Sequence, residues 1–193
     1  MNVLIIVMWD VSDVTKTVTY KNFSRIFKSL DVHPIFCLYN DKSMNQIIKN
    51  NNISGIIIGG SKARILSENS MDLPNIVFQK KIPILGICYG FQLMMKKFGD
   101  KSLFCSLEKQ TQYSKFIAIK IGRFKVPKLR YLFRYNDYVT KVPSKWMIDV
   151  VNGNEVCVAH YKKNIGVQFH PEIYGKSSSI FFKKWIDFIR ENN

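Results

Sequence analysis

A chain of 193 residues with 47% hydrophobic and 22% charged residues is long enough to bury a core without disulfide or metal staples. Its four cysteines (Cys37, Cys88, Cys105, Cys157) lie far apart and form no CxxC pair, which argues against a zinc site or a disulfide framework and for reduced cytosolic thiols. The formal charge of +15 is the one unusual term in the composition.

The opening run Val3 to Met8 is apolar, lacks a basic segment before it and is cut short by Asp10. It reads as a buried first strand, not a signal peptide. No apolar run approaches a membrane span, so a cytoplasmic protein is expected. Val18, Phe23, Ile26, Phe27 and Leu30 then recur at near-helical spacing, followed by the strand-like Ile35 to Leu38 and a short helix pattern from Met44 to Ile48. Ile56 to Ile58 and Ile82 to Ile87 are two further apolar runs, the second leading into a helix pattern from Phe91 to Phe98. Buried strands alternating with helices imply a parallel sheet covered on both faces.

The second half differs. Strand-like stretches at 116–121, 147–151, 155–159 and 165–169 follow closely, with Asn152-Gly153 as a hairpin signal between two of them. The stretch from Lys120 to Arg134 mixes six cations with Phe124, Tyr131 and Phe133. It reads first as a solvated basic surface with its aromatics turned inward; nucleic-acid binding by phosphate contacts and stacking is the less favoured alternative. An amphipathic helix from Ser177 to Ile189 closes the chain. One α/β domain over residues 1–193 with an antiparallel appendage is the expectation.

The chemistry concentrates at two motifs. Gly86-Ile87-Cys88-Tyr89-Gly90-Phe91-Gln92 places a cysteine between a strand and a helix, as in a nucleophile elbow, where the helix N-terminus favours thiolate. In Gly166-Val167-Gln168-Phe169-His170-Pro171-Glu172, the proline keeps His170 extended, so His170 and Glu172 project to one side. Cys88, His170 and Glu172 form a candidate triad. Gly59-Gly60 follows the Ile56 to Ile58 strand, and a backbone N–H there paired with that of Tyr89 makes a candidate oxyanion hole. His33, His160 and the other three cysteines read as structural. No GxGxxG or Walker A pattern occurs, so no cofactor is expected.

These motifs, in this order, resemble the class I (triad) glutamine amidotransferases, and the elbow with Leu93-Met94 looks most like the glutaminase domain of GMP synthetases. The resemblance implies a flavodoxin-like fold, a mostly parallel sheet with helices on both faces and a small antiparallel appendage. It implies that Cys88 attacks the glutamine carboxamide, that His170 protonates the departing ammonia and that Glu172 orients His170. Gly60 and Tyr89 would hold the oxyanion, while Gly59, Gln92, Asn136 and Asp137 would contact substrate. A separate synthase subunit would receive the ammonia. Two local departures stand out: Ser61-Lys62 after the glycine pair, and Arg134-Tyr135-Asn136 before the retained Asp137. A γ-glutamyl peptide hydrolase of the same fold, and a binding or regulatory protein with a vestigial triad, are the alternatives.

Overall fold

Four nearly all-apolar runs have no polar face to give to water, so they assemble inside a sheet. The computed structural model describes residues 1–79 and 81–192. In it β1 (Asn2–Val7), β2 (His33–Leu38), β3 (Ile53–Ile58) and β4 (Ile84–Ile87) pair in parallel in the order β2-β1-β3-β4. The expected parallel arrangement is present. Each crossover carries a helix: α1 (Val18–Phe27), α2 (Met44–Asn50) and the short α3 (Ile76–Gln79), with α4 (Tyr89–Phe98) following β4.

Alternation along the strands divides the core into two layers. Val3, Ile5 and Val7 of β1 pack with Phe23 and Phe27 of α1 and with Trp185 of α5 (Gly175–Asn192). Leu4, Ile6 and Met8 pack with Met44 and Ile48 of α2 and with Phe91, Leu93 and Met94 of α4. A helix start is fixed locally in α1, where the Thr17 hydroxyl accepts a hydrogen bond from the Tyr20 N–H at 3.1 Å.

The second half completes the sheet and adds the appendage. β5 (Phe104–Ile121) and β6 (Phe124–Val139) form a long two-stranded antiparallel hairpin. β7 (Met147–Asn152), β8 (Glu155–Tyr161) and β9 (Asn164–Val167) return to the main sheet, giving the order β2-β1-β3-β4-β9-β8-β7 among the described residues. β9 runs parallel to β4, and β8 and β7 extend the edge antiparallel. The hairpin is longer than sequence patterning indicates. Its inner face, carrying Ile119, Phe124, Val126, Tyr131 and Phe133, is buried. The Phe124 ring meets Phe181 of α5 edge-on, and the Tyr131 ring stacks on Phe169 with centroids 4.2 Å apart. The aromatics of the basic stretch are therefore turned inward, as expected. No described helix is long and apolar enough to cross a membrane.

Candidate active site

β3, β4 and β9 end side by side, so the loops leaving their carboxyl ends converge. The β3 end supplies Gly59-Gly60, the β4 end Cys88, and the segment after β9 His170 and Glu172. Ligands in open parallel sheets bind at this edge.

Cys88 joins strand to helix within one residue. Its backbone has φ 51° and ψ −106°, a conformation rarely adopted by residues with a side chain. It is pinned on both sides: the Cys88 N–H donates to the Val167 carbonyl at 2.8 Å, and the Cys88 carbonyl accepts from the Gln92 N–H at 3.1 Å. The side chain lies at the first turn of α4, where the thiol contacts the Arg134 carbonyl (3.6 Å) and the Gln168 side-chain amide (3.9 Å). Cys37 and Cys157 are ordinary core thiols by contrast, each pushed up to about 12 chiefly by burial.

His170 is fixed by its backbone. Its N–H donates to the Leu132 carbonyl of β6 at 2.8 Å, and its Nδ1 lies 2.7 Å from Glu172 Oε1. Glu172 is only 7% exposed. Burial alone would lower the basicity of the His170 ring; the nearby charges of Glu172 and Cys88, with the hydrogen bond to Glu172, instead hold it well above its ordinary value. With Nδ1 engaged by the carboxylate, Nε2 is left for the thiol and substrate.

Gly60 packs into the angle between these groups. A Cβ placed on it would lie 2.8 Å from His170 Cε1 and 3.6 Å from Cys88 Cβ, so the His170 ring can occupy its place only because residue 60 has no side chain. The first N–H groups of a helix have no intrahelical partner, and Tyr89 is the first residue of α4. The Gly59 N–H is used by the sheet, donating to the Ile6 carbonyl at 3.0 Å.

The residues expected to hold substrate are near the thiol but engaged with protein. Gln92, 3% exposed, donates its amide to the Asp137 carbonyl. The Asp137 carboxylate receives Arg64 Nε and a terminal Arg64 nitrogen at 3.2 and 3.1 Å, and the Ser106 hydroxyl at 2.7 Å. Asn136 shares a small pocket of about 10 Å³ with Cys88, Tyr89, Gln92 and Asp137, room for about one water. A larger cavity of about 180 Å³ adjoins it beside His170, bounded by Trp9, Lys62, Gln110, Arg134, Glu172 and Ile173 among others.

Two site residues were missed from sequence. Gln168 stands two residues before His170, in the bend that follows β9, and its place in the same short motif is the signal that could have found it. Arg64 is 73 positions from Asp137, and no local pattern announces a contact across that separation. Among the described residues no cluster of His, Cys, Asp and Glu could hold a metal ion.

Residues 10–188 match the family model for the class I glutamine amidotransferases, and the chain belongs to that enzyme family. It is 36% identical over 135 residues to the GMP synthase [glutamine-hydrolyzing] of Borreliella burgdorferi, covering 65% of this chain and 26% of that protein. It is 33% identical over 144 residues to the corresponding enzyme of Oceanobacillus iheyensis, covering 70% and 28%. The matched part thus spans about a quarter of those relatives' length. Among solved structures, a glutamine amidotransferase from Thermotoga maritima superposes with TM-score 0.61 at 18% identity over 99% of this chain and 83% of that one. The glutaminase domain of Trypanosoma brucei CTPS, solved with bound acivicin, gives 0.68 at 10% identity over 98% and 94%. The fold is that of a class I glutamine amidotransferase.

Proposed function

We propose that this chain is a glutaminase that hydrolyses the side-chain amide of glutamine and delivers ammonia to a synthase. The observation that carries the reading is the meeting of three strand ends at one point: a strained cysteine at a helix N-terminus, a histidine 2.7 Å from a buried carboxylate, and a glycine at which an added Cβ would crowd the histidine and reach the cysteine.

In this reading the Cys88 thiolate attacks the γ-carbonyl of glutamine, forming the C–S bond and an oxyanion held by the Gly60 and Tyr89 amides. The C–N bond breaks as the His170 imidazolium gives its proton to the departing nitrogen, leaving ammonia and a γ-glutamyl thioester. Neutral His170 then takes a proton from water, the hydroxide adds to the thioester, and glutamate leaves with return of the thiolate. Glu172 keeps Nδ1 protonated and the ring aligned throughout. Glutamine binding requires the small pocket beside Cys88 to widen, with Gln92, Asn136 and Asp137 at its wall. The similarity to part of the GMP synthases supports a nucleotide-amidating synthase as the ammonia acceptor.

The larger cavity favours a second reading. Ammonia needs no such space, whereas a γ-glutamyl amide with a larger amine would place that amine beside His170, between Lys62 and Arg134. Measuring glutamate release from glutamine and from γ-glutamyl dipeptides separates the two: a higher kcat/KM on glutamine supports the first reading, a higher value on dipeptides the second. In either case Cys88→Ala abolishes turnover. Unchanged hydrolysis by that variant removes Cys88 as the nucleophile.

A further inference from the structure

Apart from Arg134, the outer face of the β5–β6 hairpin lies outside the proposed glutaminase chemistry, yet it carries the densest run of basic residues in the sequence. Between Lys120 and Arg134 the sequence has six Lys or Arg and no Asp or Glu. Strand alternation sends Phe124, Val126, Tyr131 and Phe133 into the core and leaves Lys120, Lys125, Lys128, Arg130 and Arg134 exposed. Lys120 lies directly across the ladder from Lys125, a like-charge pairing that destabilises a hairpin. Among the described residues the face has one ion pair to relieve it, Arg123 with Glu191 at 3.6 Å, near the turn.

Aromatic surface is set among these cations. Phe116 is 58% exposed and sits directly opposite Arg130. The Arg130 guanidinium in turn lies over the Tyr174 ring, 5.1 Å from its centroid. Tyr174 is held there by a 2.7 Å hydrogen bond between its hydroxyl and that of Ser114. A phenyl ring, a guanidinium plane and a phenol thus stand together on a ribbon of positive charge. From Lys125 to Arg134 the ribbon runs about 30 Å at ~3.4 Å per residue.

We propose that this face binds single-stranded nucleic acid, with phosphates along the lysine and arginine row and bases stacked on Phe116 and the Arg130–Tyr174 pair. Cationic grooves with stacking platforms are how sequence-tolerant single-strand binders work. The lysine half of the row suits phosphates better than a protein interface, which is depleted in lysine though enriched in arginine and aromatics. Arg134 also borders the cavity beside His170, so a strand lying along the row ends at the mouth of the candidate active site.

The test is fluorescence anisotropy of the full chain with labelled oligo-uridylate and oligo-deoxythymidylate of about twelve nucleotides, a length within the usual site sizes of roughly 4–16, titrated from low to physiological salt. Saturable binding is expected, with log K falling against log salt by about 0.7 for each phosphate neutralised. The triple variant Lys120→Gln/Lys125→Gln/Lys128→Gln should flatten that slope by about 2. Phe116→Ala should weaken binding by about 5- to 100-fold with the slope unchanged, the signature of lost stacking. Lys183→Gln/Lys184→Gln, at exposed positions of α5, should change neither the affinity nor the slope appreciably. All substitutions lie on the surface, and an unchanged Tm confirms the fold. Absence of saturable binding, an α5 variant as impaired as the triple variant, or a Phe116→Ala protein that binds normally each overturns the proposal. Because the assay needs no turnover, its outcome is independent of the glutaminase reading.

Discussion

Cys88 is held in a left-handed backbone conformation that costs about 1–3 kcal/mol in a residue with a side chain. The surrounding sheet and helix hydrogen bonds keep it there, which is how a side chain is aimed outward from a strand end. The charge on His170 depends on its neighbours in a way that can be measured. With Glu172 and Cys88 raising its pKa, the alkaline limb of activity should lie above the ordinary histidine range near 6.5. Glu172→Gln should lower kcat by about 10²–10⁴-fold and move that limb to lower pH; NMR titration of the His170 ring should show the same displacement, and one in the same direction in Cys88→Ala. At Gly60, substitution by alanine should push the His170 ring aside, because the new Cβ would sit 2.8 Å from Cε1. The expected outcome is a large fall in kcat with Tm little changed, checked by steady-state kinetics beside calorimetry.

At the scale of elements, the seat of α4 on the sheet decides whether the elbow forms. A Cβ on Gly90 would run into the Ile58 backbone carbonyl of β3, and a backbone carbonyl cannot rotate away. Gly90→Ala should therefore destabilise the fold by about 1–3 kcal/mol or more, read as a lowered midpoint in urea. The hairpin invites an opposite test. Tyr131 is fully buried, and its hydroxyl has no hydrogen-bond partner, so Tyr131→Phe should be neutral or stabilising in the same assay. The hairpin is also where sequence reading fell short. β1, β3 and β4 announce themselves as unbroken apolar runs. β6 does not, because a bulge sets Leu129 opposite Ile117 but Val126 opposite Ile119, which shifts the alternation by one residue at Pro127-Lys128. The two halves of the strand carry opposite parity, and a single period-2 pattern can fit only one of them.

For the whole molecule, the raised His170 pKa ties folding to pH. A histidine more basic in the folded state than in the unfolded chain stabilises the fold fully below about pH 6.5 and loses that contribution as pH rises through the folded value. Thermal midpoints of Glu172→Gln and the parent should therefore converge toward high pH in so far as this pair controls them. The residues proposed as the triad stand out in the sequence because each is encoded locally, Cys88 by its flanking glycines and His170 with Glu172 by one short motif around Pro171. The engagement of Gln92 and Asp137 with the protein was not legible, since it depends on Arg64 reaching across from the loop after β3 to the base of the hairpin. The proposed role of Cys88 as a nucleophile shaped for glutamine can be read chemically. The protein is treated with a glutamine-mimicking diazo-ketone and the modified peptides are read by mass spectrometry. The account predicts stoichiometric labelling of Cys88, protection by glutamine and no label in Cys88→Ala, although Cys105 is the more exposed thiol. Labelling at Cys105 in place of Cys88, or labelling that glutamine does not slow, would contradict it.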